Sequence, residues 1–262
     1  MESFEYSEKE QNKLFEGIYL GVIGLAFLPK KLYRQTAKVL NAGVYEGYGI
    51  VEFGTPDYKL LNEFRENIYI FSGAKTATQV IDIKSLMYDG DKLLSMPEFK
   101  KLAKVKFDTY NGKDGYLESE YITAQTTASS AKVYREALDD KELFPYLQAH
   151  AILDEATAPE CERMNGVIAK VDDPIWNHNL APRHFRCRCY ETKIDKYEKV
   201  KVTPDNELNS IIKANDKDMS PLFKFNPVKD KIIFSDDHQY YEIGKANTEL
   251  AKNNFNLPIP KK

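Results

Sequence analysis

The sequence predicts an α+β fold: a helical N-terminal half, then a small antiparallel sheet carrying a cysteine and histidine signature, then a short C-terminal strand pair. Three observations predict it. Apolar residues recur every three or four positions as far as Leu138, the period of helices with one buried face. After Tyr146 the apolar residues fall instead in short β-branched and aromatic runs bounded by glycine, asparagine and proline. Between those runs, Asp154 to Tyr190 holds all three cysteines (Cys161, Cys187, Cys189), the single tryptophan, Trp176, and two of the four histidines, His178 and His184.

At 262 residues the chain can build one large domain or two small ones. A net charge of −3 supplies no global basic field to hold nucleic acid. Three cysteines are too few, and odd in number, for a disulfide framework, which points to a reducing compartment.

In chain order, the most apolar run is Gly17 to Leu28. The residues before it are net acidic and the run is too short to span a bilayer, so it reads as a buried or partner-facing helix with no role in targeting or membrane anchoring. Pro29 ends it, and Leu32, Thr36, Val39, Leu40 and Val44 continue at helical spacing until Gly47 and Gly49. An extended piece, Ile50 to Phe53, leads through the turn Gly54-Thr55-Pro56 to a helix from Lys59, with Leu60, Leu61, Phe64, Ile68 and Phe71 on one face. A further helix occupies Ala74 to Met87. Ser95-Met96-Pro97-Glu98 is a capping box that opens the next one. Asn111 to Gly115 then marks a boundary, because two glycines and small polar residues favour a turn.

Tyr116 to Leu138 is the most regular helix, and its alanines permit close approach of another backbone. Strands are expected at Tyr146–Leu153, Val167–Val171 and Cys189–Ile194. This places Cys161 in a loop entering a hairpin, with Cys187 and Cys189 on one face of the following strand. Residues 196–218 read as a charged linker with a short helix near Leu208–Ala214. Lys231–Phe234 and Tyr240–Ile243 read as two strands, and Leu257–Lys262 as an extended tail. The expected organisation is a helical, partner-binding region over 1–115, a signature domain over 116–195, and a linker with a C-terminal extension over 196–262.

The ligand-capable groups fall as Cys161, a long insert, then His184, Cys187 and Cys189. Thiolate and imidazole at such spacing suit a tetrahedral structural zinc, which tolerates any loop length between ligands. Burial as small hydrophobes is the alternative account of the cysteines. His178, between asparagines, is a candidate substitute ligand, but its neighbours favour a solvent-facing loop. Asp172-Asp173 can be read as a paired-carboxylate acid/base site or a magnesium site, but Asp173-Pro174 is a turn starter and no second acidic cluster accompanies it, which favours a plain turn. Arg186 and Arg188 flank the cysteines as surface arginines able to reach DNA phosphate or a partner's carboxylates. A thiol-dependent hydrolase or toxin-like enzyme using Cys187 and His184 is the enzymatic alternative, though no third orienting group accompanies the pair.

Asp154, Thr157, Cys161, Asn165-Gly166, Asp173-Pro174-Ile175-Trp176 and Pro182-Arg183-His184-Phe185-Arg186-Cys187-Arg188-Cys189 together resemble the signature of the phage Mu F-like minor head proteins, also called phage head morphogenesis proteins. Glu120-Tyr121-Ile122-Thr123-Ala124 and the phrase from Phe71 to Thr76 extend the resemblance over most of residues 15 to 192. The resemblance implies a structural protein without catalysis. It would associate with the portal and other head proteins in several copies, act in head assembly or genome packaging and delivery, and possess contact with packaged DNA as an option. It would reside in the virion head or portal region, and in host cytoplasm during assembly. Relatives often carry histidine at the position of Cys161, the exchange that a zinc ligand allows.

Overall fold

The structure, a computed structural model, describes residues 2–254, so the expected tail Leu257–Lys262 lies outside the described residues. The chain divides into two compact units. One is drawn from residues up to Ala42, from Arg65–Tyr121 and from Asp236 onward; the other comprises Gly43–Phe64 and Ile122–Ser235. The elements in order are α1 (Glu8–Tyr19), α2 (Lys30–Tyr48), α3 (Pro56–Ser85), β1 (Tyr88–Asp89), β2 (Lys92–Leu93), α4 (Met96–Asn111), α5 (Tyr116–Asp139), β3 (Tyr146–His150), α6 (Pro159–Met164), β4 (Ile168–Lys170), β5 (Tyr190–Ile194), α7 (Asp205–Asp218), α8 (Pro227–Asp230) and α9 (Lys245–Lys252). The α+β class expected from the sequence is what forms. No helix among the described residues is long and apolar enough to cross a membrane.

In the first unit, α1 opens with a capping box between Ser7 and Glu10, and α4 with the one expected between Ser95 and Glu98. The two helices meet through aromatic rings, Phe15 against Phe107 and Tyr19 against Phe99. The apolar run from Gly17 does not stay helical. It leaves α1 after Tyr19, passes Gly21 at φ +73°, and makes a tight turn in which Gly24 and Phe27 bond to each other. Glycine populates that left-handed region readily, so the run can leave the helix where its apolar period alone would continue it. Leu20, Val22 and Phe27 are left exposed, Phe27 at 73%.

The helices expected on either side of Gly73 are one, α3, thirty residues long. A glycine inside a helix costs about 1 kcal/mol, and burial of Phe71, Ala74, Ala77 and Val80 overrides it. Lys75 on α3 is fully buried and pairs at 2.5 Å with Glu120 on α5, while its ammonium lies over the rings of Tyr110 and Tyr240. Burial pushes the Lys75 ammonium down and the Glu120 carboxyl up, each against the pull of the other. Tyr240 completes the pair by donating to the second Glu120 oxygen at 2.7 Å.

The two strands expected at Lys231–Phe234 and Tyr240–Ile243 do not form. Lys231 is left-handed at φ +59°, and Gln239–Tyr241 is a single 3-10 turn capped by His238. The only two-residue strand pair among the described residues is β1 with β2. The aromatic residues that read as strand are anchors: Tyr240 and Tyr241 are buried, and both rings contact Phe71. Packing against a ring and pairing in a ladder select the same residue types.

In the second unit, β3 is the central strand of an antiparallel sheet of order β4-β3-β5. Its register sets Leu147 opposite Ala169 and Lys193, and Ala149 opposite Glu191. Tyr134 and Ala137 of α5, Leu208 and Ile211 of α7, and the loop residues Ile175, Trp176 and Leu180 close one core over Leu147, Ala149 and Ala169. The expected short helix near Leu208 is the longer α7, and the expected extended piece Ile50–Phe53 has no strand pairing. Gly47 stays inside α2 because a side chain has no room there. A Cβ would sit 2.1 Å from the carbonyl oxygen of Gln125 on α5, the close approach that the alanines of α5 permit.

Replacing Lys75 with methionine strands the Glu120 carboxylate in the core, and we expect a loss of about 3–5 kcal/mol in urea denaturation. The double replacement Lys75→Met with Glu120→Gln should recover most of that loss.

Candidate metal centre

Cys161 enters from α6, a short helix with Pro159 in its first turn, where the sequence predicts a loop. Six residues suffice for a helix here because Met164 plugs the core while Cys161 is buried on the same element. His184 and Cys187 belong to one turn, in which the Cys187 N–H donates to the His184 carbonyl at 3.3 Å. Arg186 is left-handed at φ +59°, a conformation a non-glycine residue holds only when its surroundings impose it. That reversal brings Cys187 back beside His184.

The Sγ atoms of Cys161 and Cys187 are 3.6 Å apart. Those sulfurs and an imidazole nitrogen of His184 all lie within 4.8 Å of one another, so three of the four predicted ligands converge. Cys189 is buried in the same cluster with Cys161, Cys187 and Ala181, and interacts with both other thiols. The expected same-face placement of Cys187 and Cys189 agrees with both being buried there, although β5 begins only at Tyr190.

The Cys161 and Cys189 thiols push the Cys187 pKa down by donating to it, and His184 adds to this against the opposing effect of burial. Cys161 is correspondingly pushed up by Cys187 and by burial. His184 is raised by the Cys187 sulfur and, more weakly, by the Phe185 carbonyl, which its Nδ1 faces at 2.8 Å. Soft sulfur with one imidazole suits zinc and its thiophilic neighbours, and offers nothing to calcium or magnesium, which require oxygen.

Two sets of contacts hold the cluster. On the outside, Arg188 forks both oxygens of Asp154 at 2.6 Å, and Asp154 in turn takes the Ala156 N–H at 3.0 Å. Thr157 ties the same loop by donating its hydroxyl to the Ile152 carbonyl at 2.6 Å. The loop leading to Cys161 is thereby clamped to the residue between Cys187 and Cys189. Behind the cluster, Arg183 is fully buried, donates from Nε and Nη2 to the Asn179 carbonyl, and pairs with buried Glu191 at 3.1 Å. Asn215 of α7 joins Asn179 at 2.6 Å and also reaches the Glu160 carbonyl of α6 at 3.3 Å.

The cluster opens on a surface depression of about 370 Å³ lined by Ile152, Thr157, Cys161, His184, Arg188 and Cys189 among others. His178 is not brought to it; it is half exposed beside Asp216 on α7, as its loop composition predicts. Asp173 caps the 3-10 turn Pro174–Asn177 by accepting the Ile175 N–H, and Asp172 pairs with Lys141, so the two carboxylates have separate structural partners. Arg188, expected on the surface, is committed to Asp154. Sequence reasoning missed Arg183, Asn179, Glu191 and Asn215. One signal was present, because Glu191 continues the alternation of Cys187 and Cys189 and so marks a charge on the inward face of the strand.

Residues 97–192 match the family described as Phage Mu protein F like protein. The chain is 31% identical over 78 residues to the Putative capsid assembly protein F of Escherichia phage Mu, which is 30% of this chain and 18% of that protein. It is 28% identical over 86 residues to the Mu-like prophage FluMu F protein of Haemophilus influenzae, 33% of this chain and 21% of that one. The chain therefore matches about a fifth of the length of these relatives. No solved structure matches it significantly.

The Arg188 fork holds the Asp154 carboxyl at about 2 against an ordinary 3.8, a depressed acid whose contact is complete above the ordinary value and lost as pH falls toward 2. Carbon NMR of the Asp154 carboxyl should show that low titration. Arg188→Gln should return it to the ordinary carboxylate range.

Proposed function

We propose that this chain, Phage Mu F-like over residues 97–192, works as a structural component of a phage or prophage head, associated with the portal and acting in head assembly or genome packaging. The names of its relatives support the assembly role, one of them being described as a capsid assembly protein. A portal or other head protein needs apolar surface to dock on. Leu20, Val22 and Phe27 offer one such loop in the first unit, and Ile50 and Phe53 another in the second. Several copies per particle and a location in the virion head belong to the same reading. Any contact with packaged DNA would fall to local basic patches, because the net charge is −3.

The metal part of the proposal is that Cys161, His184, Cys187 and Cys189 hold one structural zinc. The converging sulfur and nitrogen donors support it. When bound, zinc would tie the segment of α6 to the turn before β5 and contribute folding free energy to the second unit. The residues themselves position the ligands: Asn215 holds α6 to the Asn179 loop, and Arg188 fixes the approach to Cys161.

Cys187 beside His184 also favours a second reading, a thiol nucleophile with its base. Cys187 is only 2% exposed, which keeps an acyl group from its sulfur, and the structural reading is the stronger for it.

Protein purified without added metal should contain about one zinc per chain by elemental analysis, as a four-ligand structural site requires. Cys161→Ser and His184→Ala should each lose it and destabilise the second unit. Zinc far below that ratio in the wild-type chain overturns the metal part. For the partner, Leu20→Asp with Phe27→Asp should abolish co-purification with a co-expressed portal protein while leaving the circular dichroism unchanged. Undiminished co-purification would remove this loop from the interface.

A further inference from the structure

We infer that Cys161 and Cys187 form a redox pair, whose oxidation joins the two sulfurs in a disulfide, expels the ion, and leaves α6 clipped to the turn before β5. The inference rests on the zinc reading above and adds to it a way in which that site is regulated.

The two sulfurs are already in contact, with their Sγ atoms 3.6 Å apart. A disulfide bond is about 2.0 Å long, so each sulfur has about 0.8 Å to travel, within reach of side-chain rotation. Cys161 belongs to α6 and Cys187 to a turn 26 residues further on, so the bond joins the same remote segments that the ion ties. Cys189 is placed differently. It is packed in the cluster, but the donor atoms that all lie within 4.8 Å of one another are those of Cys161, His184 and Cys187. A bond from Cys187 to Cys189 would have to close over Arg188 alone, and the fork on Asp154 holds that residue.

Cys161 lines the surface depression of about 370 Å³, and hydrogen peroxide is small enough to enter it. Transfer of one peroxide oxygen to the Cys161 thiol gives a sulfenic acid and water. The Cys187 thiol then attacks that sulfur, forms the S–S bond and displaces the sulfenic oxygen as a second water. Two thiols are oxidised, one peroxide is reduced, and both thiol protons leave in the waters. Starting from metal-bound thiolates, two hydroxides leave in place of the two waters and balance the charge of the divalent ion. His184 and Cys189 alone are too few to hold a tetrahedral ion. On the head-protein reading, the chain passes from a reducing cytoplasm to an oxidising medium outside the cell, where disulfides persist.

The experiment treats zinc-loaded and chelator-stripped protein with hydrogen peroxide, blocks the remaining thiols with iodoacetamide, and maps the digested peptides by mass spectrometry without reduction. We expect a cross-link between Cys161 and Cys187 with Cys189 alkylated, reversal by dithiothreitol, and about one zinc released to a chromophoric chelator for each link formed. The cross-linked, metal-free protein should melt above the reduced metal-free protein, because the link closes a loop in the unfolded chain. Cys189→Ser should form the link as wild type does, and if that variant does not fold the wild-type map decides alone. A link that includes Cys189, or oxidation of Cys161 to sulfinic acid with no link, overturns the inference and leaves the zinc site standing. The Cys161 to Cys187 link in a chain that takes up no zinc overturns the zinc reading and leaves the redox pair. A cross-linked protein that melts no higher than the reduced form overturns the clip.

Discussion

The cysteine turn depends on a buried charge behind it. His184, Cys187 and Cys189 lie on a short irregular segment with no ladder of its own until β5 begins, and such a segment cannot hold donor atoms in register by backbone bonding alone. Its geometry comes from Arg183, whose side chain grips the Asn179 carbonyl and Glu191, and from Asn215, which joins the same asparagine to the carbonyl end of α6. Polar networks of this kind are costly to bury, and each contact made within them adds rigidity to the segment that carries it. Here the rigidity falls where two remote parts of the chain must present sulfur and nitrogen within a few ångströms.

The first unit shows the same economy of means with different chemistry. Lys75 and Glu120 come from α3 and α5 and meet in a core of aromatic rings. Tyr240, more than a hundred residues later, supplies the remaining hydrogen bond, and Asn254 bonds the backbone of the loop at Leu25 and Leu28. Tyr240 and Asn254 are thus part of the unit that the N-terminal helices build. A buried pair of this sort stabilises little in net terms, since desolvation offsets most of its attraction, but it discriminates strongly against any arrangement that leaves one partner alone.

The exposed apolar loops follow from where glycine stands. At Gly21 and Gly24 the chain leaves α1 and folds back, and the residues that would have lined a helix stripe are turned outward. Ile50 and Phe53 sit likewise between Gly49 and Gly54, both at positive φ. Apolar side chains on glycine-bounded loops are presented without the competition of a helix core, which is what a docking surface needs.

The sequence by itself determined the α+β class, the three strands of the sheet to within a few residues, the capping box at Ser95, and the identity of the candidate ligands. Each rests on short-range physics: an amphipathic period, a turn residue, or a side chain whose donor atoms suit one kind of ion. It also placed His178 and the Asp172-Asp173 pair away from the site for the right local reasons. Tertiary structure alone decided that α3 runs unbroken through Gly73, that Gly47 lies within a helix because α5 passes too close for a Cβ, and that the C-terminal tyrosines are anchors and not strands. It alone assigned Arg188 to Asp154 and Arg183 to the buried side of the cluster. Those outcomes turn on which distant surface a residue meets, and burial free energy summed over many contacts outweighs the about 1 kcal/mol preferences that local sequence expresses.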